Sequence, residues 1–459
     1  MADLPLGPGA LTALVAYCLS LILVGIFANR RKVDDSLADH YLAGRNIGFG
    51  VLVLTLFATQ YSGNTLFGFT GKAYRMGYPW LMSVHAMTAI IVCYLVFAPR
   101  LFRMSRIHGY ITPGDFVMQR FRSRGLRLLV TLCMIFALAN YTLAQLKVMG
   151  HAAVGLSGGR ITALQGVMAL AIIMVVYETL GGMRGVVWTD AIQGLLLLFG
   201  FGALMVLVWQ QMGGLGVATE ALVEMAPEKL VVPDLRTCAT WLSFVLLVGI
   251  GGSVYPQAIQ RIYAARSERT LQRSLAVMSL LPLLTTLVVF SLGITAIVHY
   301  PGLDKSGSDQ VLALILKDVM VTGPIGYWTV VLLLAAVLAA LMSTADSALL
   351  AISSMVSRDI YGGLINPEAS EAAQTRLGKV TSWVVISAMV WVSTQEDLTL
   401  VRLLVIKFEV LIQVAPAFFL GVRWGRLGGR AVLAGLVVGL CVSLGLWALG
   451  AKPAGFHPG

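Results

Sequence analysis

Hydrophobic residues run along this chain in long blocks separated by short polar stretches, not in the one-sided stripes of water-facing helices. Twelve blocks can be read, at roughly 9–28, 46–72, 79–101, 125–150, 161–180, 186–209, 240–262, 273–299, 325–352, 378–394, 399–422 and 430–449. About twenty apolar residues suffice to cross a bilayer core as a helix, so each block predicts a membrane span. Two blocks are interrupted. The second contains Phe57-Ala58-Thr59-Gln60-Tyr61-Ser62-Gly63-Asn64-Thr65, and the seventh contains Gly249-Ile250-Gly251-Gly252-Ser253-Val254-Tyr255-Pro256-Gln257. Polar side chains, glycines and a proline in mid-span free backbone groups, which hydrocarbon tolerates only where they line a cavity or bind something.

The interruptions organise the chain. Between the first and last spans lie two sets of five, 46–209 and 240–422, each opening with its broken member. Five is odd, so the sets have opposite orientations in the membrane. Broken helices at matching places in two inverted halves point to a transporter's binding site. The remaining segments are an N-terminal span with a basic loop (1–45), an outer loop (210–239) and a C-terminal span (423–459). In the loop after the third span, Thr112 and Pro113 predict the cap and first position of a short helix.

Composition agrees with a polytopic membrane protein: 58% hydrophobic residues, 12% charged and a mean hydropathy of +0.84 over 459 residues. The net charge of +11 raises the question of nucleic acid, but its distribution answers it. Of 33 basic residues, 22, Arg261 among them, fall on alternate loops and their edges, against 8 on the others. That asymmetry is the positive-inside pattern, and it puts both termini outside the cytoplasm in a multi-pass cell-membrane protein. No nucleic-acid partner is expected; the bilayer is. Five scattered cysteines make no CxxC pair, so neither a disulfide framework nor a zinc site is implied. HExxH and P-loop patterns are missing, and no enzyme is expected.

The polar chemistry inside the spans centres on Ala340-Leu341-Met342-Ser343-Thr344-Ala345-Asp346-Ser347. Ser343, Asp346 and Ser347 share one helix face. Intramembrane hydroxyls and carboxylates are costly and mark ion or substrate paths by default.

Several stretches resemble the sodium:solute symporter family, the group that includes proline, pantothenate, sialic acid and sugar symporters. These are Asp39-His40-Tyr41-Leu42-Ala43-Gly44-Arg45, Leu180-Gly181-Gly182-Met183-Arg184 with Val187-Trp188-Thr189-Asp190-Ala191-Ile192-Gln193, Gln260-Arg261, and Met342 to Ser347. Their order along the chain matches the family. The resemblance implies an all-α, leucine-transporter-like 5+5 inverted repeat of ten core helices, with one more at each end. It also implies sodium bound by backbone carbonyls of Ala58, Tyr61 and Ala340 and by the hydroxyls of Ser343 and Thr344. Asp190 matches an acidic position tied to a second ion site or the inner exit. With Asp346 and Ser347 it forms an expected second cation or proton site, although a carboxylate at 346 departs from several relatives.

The solute is expected between the two breaks and the third core helix, at Gln60, Ser62, Asn64, Gln145, Tyr255 and Gln257. Gln60 stands where proline symporters are expected to carry aspartate. Lys147 and Lys407, within spans, could answer a solute carboxylate. The expected function is sodium-coupled symport of a small polar, carboxylate-bearing solute, an amino acid or organic acid, by alternating access in a monomeric unit. A proton-coupled carrier of the same fold and a non-transporting solute sensor are the alternatives.

Overall fold

The computed structural model describes residues 6–61, 63–395, 400–451, 453 and 456–458, without the side chains of 63–64 and 400–405. Ser62 and the side chain of Asn64 lie outside the described residues. In chain order the α-helices begin with α1 (Pro8–Arg30), α2 (Leu37–Leu42), α3 (Phe49–Gln60), α4 (Gly63–Met76), α5 (Met82–His108), α6 (Pro113–Phe121), α7 (Arg124–Leu156) and α8 (Ala163–Met212). Then come α9 (Leu215–Met225), α10 (Leu235–Ser253), α11 (Pro256–Ala264), α12 (Glu268–Met278), α13 (Leu281–His299), α14 (Lys305–Asp309) and α15 (Val311–Met320). The last four are α16 (Pro324–Met355), α17 (Glu371–Ser393), α18 (Leu400–Phe419) and α19 (Gly429–Ala448).

Both expected interruptions are real. α3 ends at Gln60, and Tyr61 is extended (φ −99°, ψ 117°) before α4 resumes. α10 ends at Ser253, and α11 restarts with Pro256 at its first position, where its missing N–H does no harm. The two broken segments meet at one membrane end: the Ile47 amide bonds the Ala264 carbonyl at 3.1 Å, and the Arg266 amide bonds the Ile47 carbonyl at 2.9 Å.

Three features depart from the sequence reading. The expected spans 161–180 and 186–209 form one continuous run, α8, of 50 residues. At 1.5 Å per residue a straight helix of that length would be about 75 Å, far beyond the hydrocarbon core. A single non-helical residue, Gly182 (φ 54°, ψ −149°), breaks it in place of a loop. The eighth span divides into α12 and α13 ahead of Pro282. Eight helices are long and apolar enough to span a membrane among the described residues, against twelve blocks. Breaking the second block leaves helices of 12 and 14 residues, and α8 holds two blocks in one run.

The two loops expected on the outer side are also helical, with α9 in one and α14 and α15 in the other. The expected cap at α6 is present as a reciprocal pair: the Thr112 hydroxyl accepts the Asp115 amide, and the Asp115 carboxylate accepts the Thr112 amide.

α16 forms the axis, with every residue from Leu333 to Met355 buried. It packs on α8, α7, α3 and α17. Small residues let neighbours close in. A Cβ at Gly25 of α1 would lie 2.6 Å from the Cβ of Tyr177 in α8, and one at Gly293 of α13 would lie 2.5 Å from that of Ala73 in α4. α19 stands at the periphery, with Val438 and Val442 exposed.

Candidate functional site: a buried ion cluster beneath a lysine-bearing cavity

The centre of the bundle holds a fully buried charge cluster. Arg261 of α11 donates from NH2 to the Asp190 carboxylate at 2.7 Å, and neither side chain has any exposure. The same guanidinium donates to the Ser347 hydroxyl at 2.6 Å, to the Thr55 hydroxyl at 2.7 Å and to the Gln257 carbonyl at 3.0 Å. Thr55 in turn donates to Asp190. Ser343 donates to the other oxygen of Asp190 at 2.5 Å. Each ionic group is therefore met by several hydrogen bonds, the condition under which a buried pair is tolerable.

Arg261 corrects the sequence reading, which counted it with the charges at the loop edges. It lies at 0% exposure on a helix whose every residue is buried. Its family-like setting, Gln260-Arg261, was visible in the sequence, but its partner is 71 positions away.

Asp346 sits on the same face of α16 and accepts the Tyr177 hydroxyl at 2.5 Å, while its Oδ1 has no hydrogen-bond partner. The structure thus brings Asp190 and Ser347 onto one guanidinium, while Asp346, next to Ser347 in the chain, is held by Tyr177. The buried Thr344 hydroxyl also has no partner. An unsatisfied buried polar atom costs about 1–3 kcal/mol, so such an oxygen suits a cation. Ala58, Tyr61 and Ala340, on α3, the break and α16, are buried as well. The donor set of neutral carbonyls and hydroxyls fits a small hard cation.

Above the cluster lies a cavity of about 160 Å³. Gln60 and Thr65 line it from either side of the first break, Tyr255 from the second, Tyr141 from α7, and Lys407 and Phe408 from α18. Lys72, Phe244 and His457 line it as well. Lys407 is buried, its ammonium 3.3 Å from the centroid of the Tyr141 ring and 4.7 Å from that of Phe408. The Tyr141 and Tyr255 rings stack at 5.5 Å. Gln60 donates to the Tyr94 hydroxyl at 2.8 Å. Among the described residues, no aspartate or glutamate lines it.

Of the remaining expected solute contacts, Gln145 and Gln257 are buried but do not line the cavity, and each keeps unpartnered amide atoms. Lys147 lies away from it and donates to the Gln395 carbonyl at 2.8 Å. Thr55, Tyr94, Tyr141 and Tyr177 were not anticipated. A hydroxyl inside an apolar run was their only signal.

The basic membrane end is tied shut by ion pairs. Arg184 binds Asp39 at 2.8 Å, Arg127 binds Asp359 at 3.0 Å and Arg358 binds Asp115 at 3.2 Å. Thr112 and Thr131 also donate to Asp359, at 2.6 and 3.0 Å. Several arginines that gave the topology signal therefore also hold helices together. Burial holds the His40 imidazole of α2 far below its ordinary 6.5, at about 3, with nearby Lys379 and Lys32 acting in the same direction.

Known proteins resemble this chain over nearly its whole length. The sequence profile of the sodium:solute symporter family matches residues 40–439. The sodium/pantothenate symporter of Escherichia coli is 26% identical over 454 residues, covering 97% of this chain and 92% of the relative. A sodium/proline symporter of Haemophilus influenzae is 26% identical over 452 residues, covering 94% and 86%. A Na+-coupled sialic acid symporter, solved substrate-bound and outward-open, superposes with a TM-score of 0.80 at 20% identity, covering 95% of this chain and 91% of that one. That likeness shows a shared fold, the leucine-transporter-like bundle that the family resemblance implied. With the profile spanning most of its length, the chain belongs to the sodium:solute symporter family: it is a multi-pass membrane transporter, not an enzyme, and sodium is its coupling ion.

Proposed function

We propose that this protein imports a small organic anion, bound through its carboxylate, with sodium. The observation that carries the solute class is the cavity lining: a buried Lys407 ammonium faces it, and no carboxylate side chain among the described residues does. A buried charge calls for a partner, and a solute carboxylate supplies one. An amino acid would add an α-ammonium to a cavity already lined by Lys72 and Lys407, so organic acids are favoured over amino acids. Sodium binds beneath, at the carbonyls of Ala58, Tyr61 and Ala340 and the hydroxyls of Ser343 and Thr344. The unpartnered Thr344 hydroxyl supports that site.

The unpartnered Asp346 oxygen, beside Asp190 and Ser347, supports a second cation or proton site. Halves 46–209 and 240–422 then move against each other as inverted repeats, with both termini outside and one chain as the working unit. Binding of sodium and anion favours closure over the cavity, and opening of the ion-paired inner end releases both.

The test is uptake into proteoliposomes by the purified protein, with a panel of monocarboxylates, pantothenate, amino acids and sugars. Accumulation of an organic acid only with an inward sodium gradient is the expected result. Accumulation of amino acids alone refutes the solute class. Uptake driven by protons without sodium refutes the ion assignment.

A further inference from the structure

We infer a binding site for the headgroup of an anionic phospholipid of the inner leaflet, between the end of α1, the turn leading into α3 and the second half of α8. A cavity of about 410 Å³ lies there, apart from the ion cluster and the solute cavity. Arg31, Arg184 and Trp188 line it together with Val33, Ile47 and Val51, and no acidic side chain does. Asp39 already binds both terminal nitrogens of Arg184, whereas Arg31 has no ion pair among the described residues. Its guanidinium lies 5.5 Å from the centroid of the Phe27 ring, which in turn meets Trp188 at 5.8 Å. A tryptophan beside arginines at the basic membrane end is the composition of a headgroup-level pocket.

The backbone gives a second, independent sign. Ala43 (φ 51°), Gly44 (φ 65°) and Arg45 (φ 57°) are three successive left-handed residues, and Ala43 and Gly44 line the cavity. For alanine and arginine this conformation costs about 1–2 kcal/mol each, and such strain is kept where a ligand site needs it. Successive amides in turns of this kind form concave anion sites. A Cβ at Gly44 would lie 3.5 Å from Asp39 Oδ1 and 3.7 Å from Arg184 Nη2, so the turn runs beside that ion pair.

The surroundings select a lipid over a free anion. Val33 is 82% exposed, and Phe27 and Phe49 flank the cavity with 51% and 46% exposure. These are surfaces for an acyl chain, not for water. The strained turn leads straight into α3, whose far end carries Ala58. A bound headgroup stiffens that turn, and so the approach to the ion site.

The test places the protein in phosphatidylcholine nanodiscs and titrates in phosphatidylglycerol while following thermal unfolding. The expected result is a saturable rise of several degrees. Arg31→Gln loses more than half of that rise, yet unfolds at the wild-type temperature in pure phosphatidylcholine. Arg426→Gln, an exposed arginine elsewhere on the basic side, keeps the whole rise. Three outcomes overturn the site: an undiminished rise in Arg31→Gln, an equal loss in Arg426→Gln, or the same rise from inorganic phosphate in pure phosphatidylcholine. The readout is independent of which solute or ion is carried.

Discussion

Arg261 and Asp190 form an ion pair at 2.7 Å with neither side chain exposed, in the middle of a membrane bundle. Removing one partner leaves the other charged and buried, which costs about 3–5 kcal/mol, whereas removing both costs less. Arg261→Gln and Asp190→Asn are each expected to lower the unfolding temperature sharply, and the double variant to recover much of the loss. Thermal unfolding of the four proteins forms the cycle. Additive losses would show that the two groups are not coupled.

At the sodium site, Ser343→Ala and Thr344→Ala each remove a hydroxyl from a neutral donor set. Each is expected to raise the half-saturating sodium concentration about tenfold, or about 1.4 kcal/mol, while the protein still folds. Ser343 also donates to Asp190, so its loss should be the more destabilising. Sodium-dependent uptake alongside unfolding temperature separates the two effects. An unchanged sodium response in both variants excludes these hydroxyls as ligands.

Lys407→Gln keeps a polar group but removes the cation over Tyr141. The expected effect is a rise in KM for the organic anion of about tenfold or more, with the half-saturating sodium concentration nearly unchanged. Lys407→Arg keeps the charge with a larger, planar group and should recover only part of the affinity. Transport kinetics at saturating sodium give the comparison. Equal KM values in wild type and Lys407→Gln would remove the lysine from solute recognition.

His40 sets a pH dependence of stability. Its pKa is about 3 in the folded protein against 6.5 ordinarily, so below pH 6.5 the unfolded chain takes up a proton that the folded chain refuses. Stability therefore falls with decreasing pH across that window, by about 1.4 kcal/mol per unit from this group. Unfolding temperatures measured between pH 7.5 and 4.5 should decline less steeply in His40→Gln. Identical slopes would place the acid sensitivity elsewhere.

Much of this architecture was legible in the sequence, and the reasons are local. The polar run around Gly63 and the proline at 256 cannot hide in an apolar helix, so both breaks announced themselves, although Gly251 and Gly252 lie within α10. Thr112 and Pro113 wrote their own cap. Ser343, Thr344, Asp346 and Ser347 stood out because hydrocarbon makes each one costly. What stayed hidden depended on distance along the chain. Arg261 carried the signal of a loop arginine because the charge asymmetry of a membrane protein places arginines at span ends, and only the fold brings it to Asp190. The kink at Gly182 looked like a loop because Leu180-Gly181-Gly182-Met183-Arg184 has loop composition. One glycine in an unusual backbone conformation was enough to join the two spans.

The close approach of Gly25 to Tyr177 bears on how such proteins can be rebuilt. α1 lies outside the two five-helix sets, and by topology it is an appendage. Yet Gly25 seats it against the residue whose hydroxyl holds Asp346. A chimaera that grafts the first span of a relative onto this core would therefore need a glycine at the matching position, and any bulkier residue there would press on Tyr177. A purification tag or a deletion reaching into α1 is, by the same contact, a perturbation of the ion cluster rather than a trim at the margin.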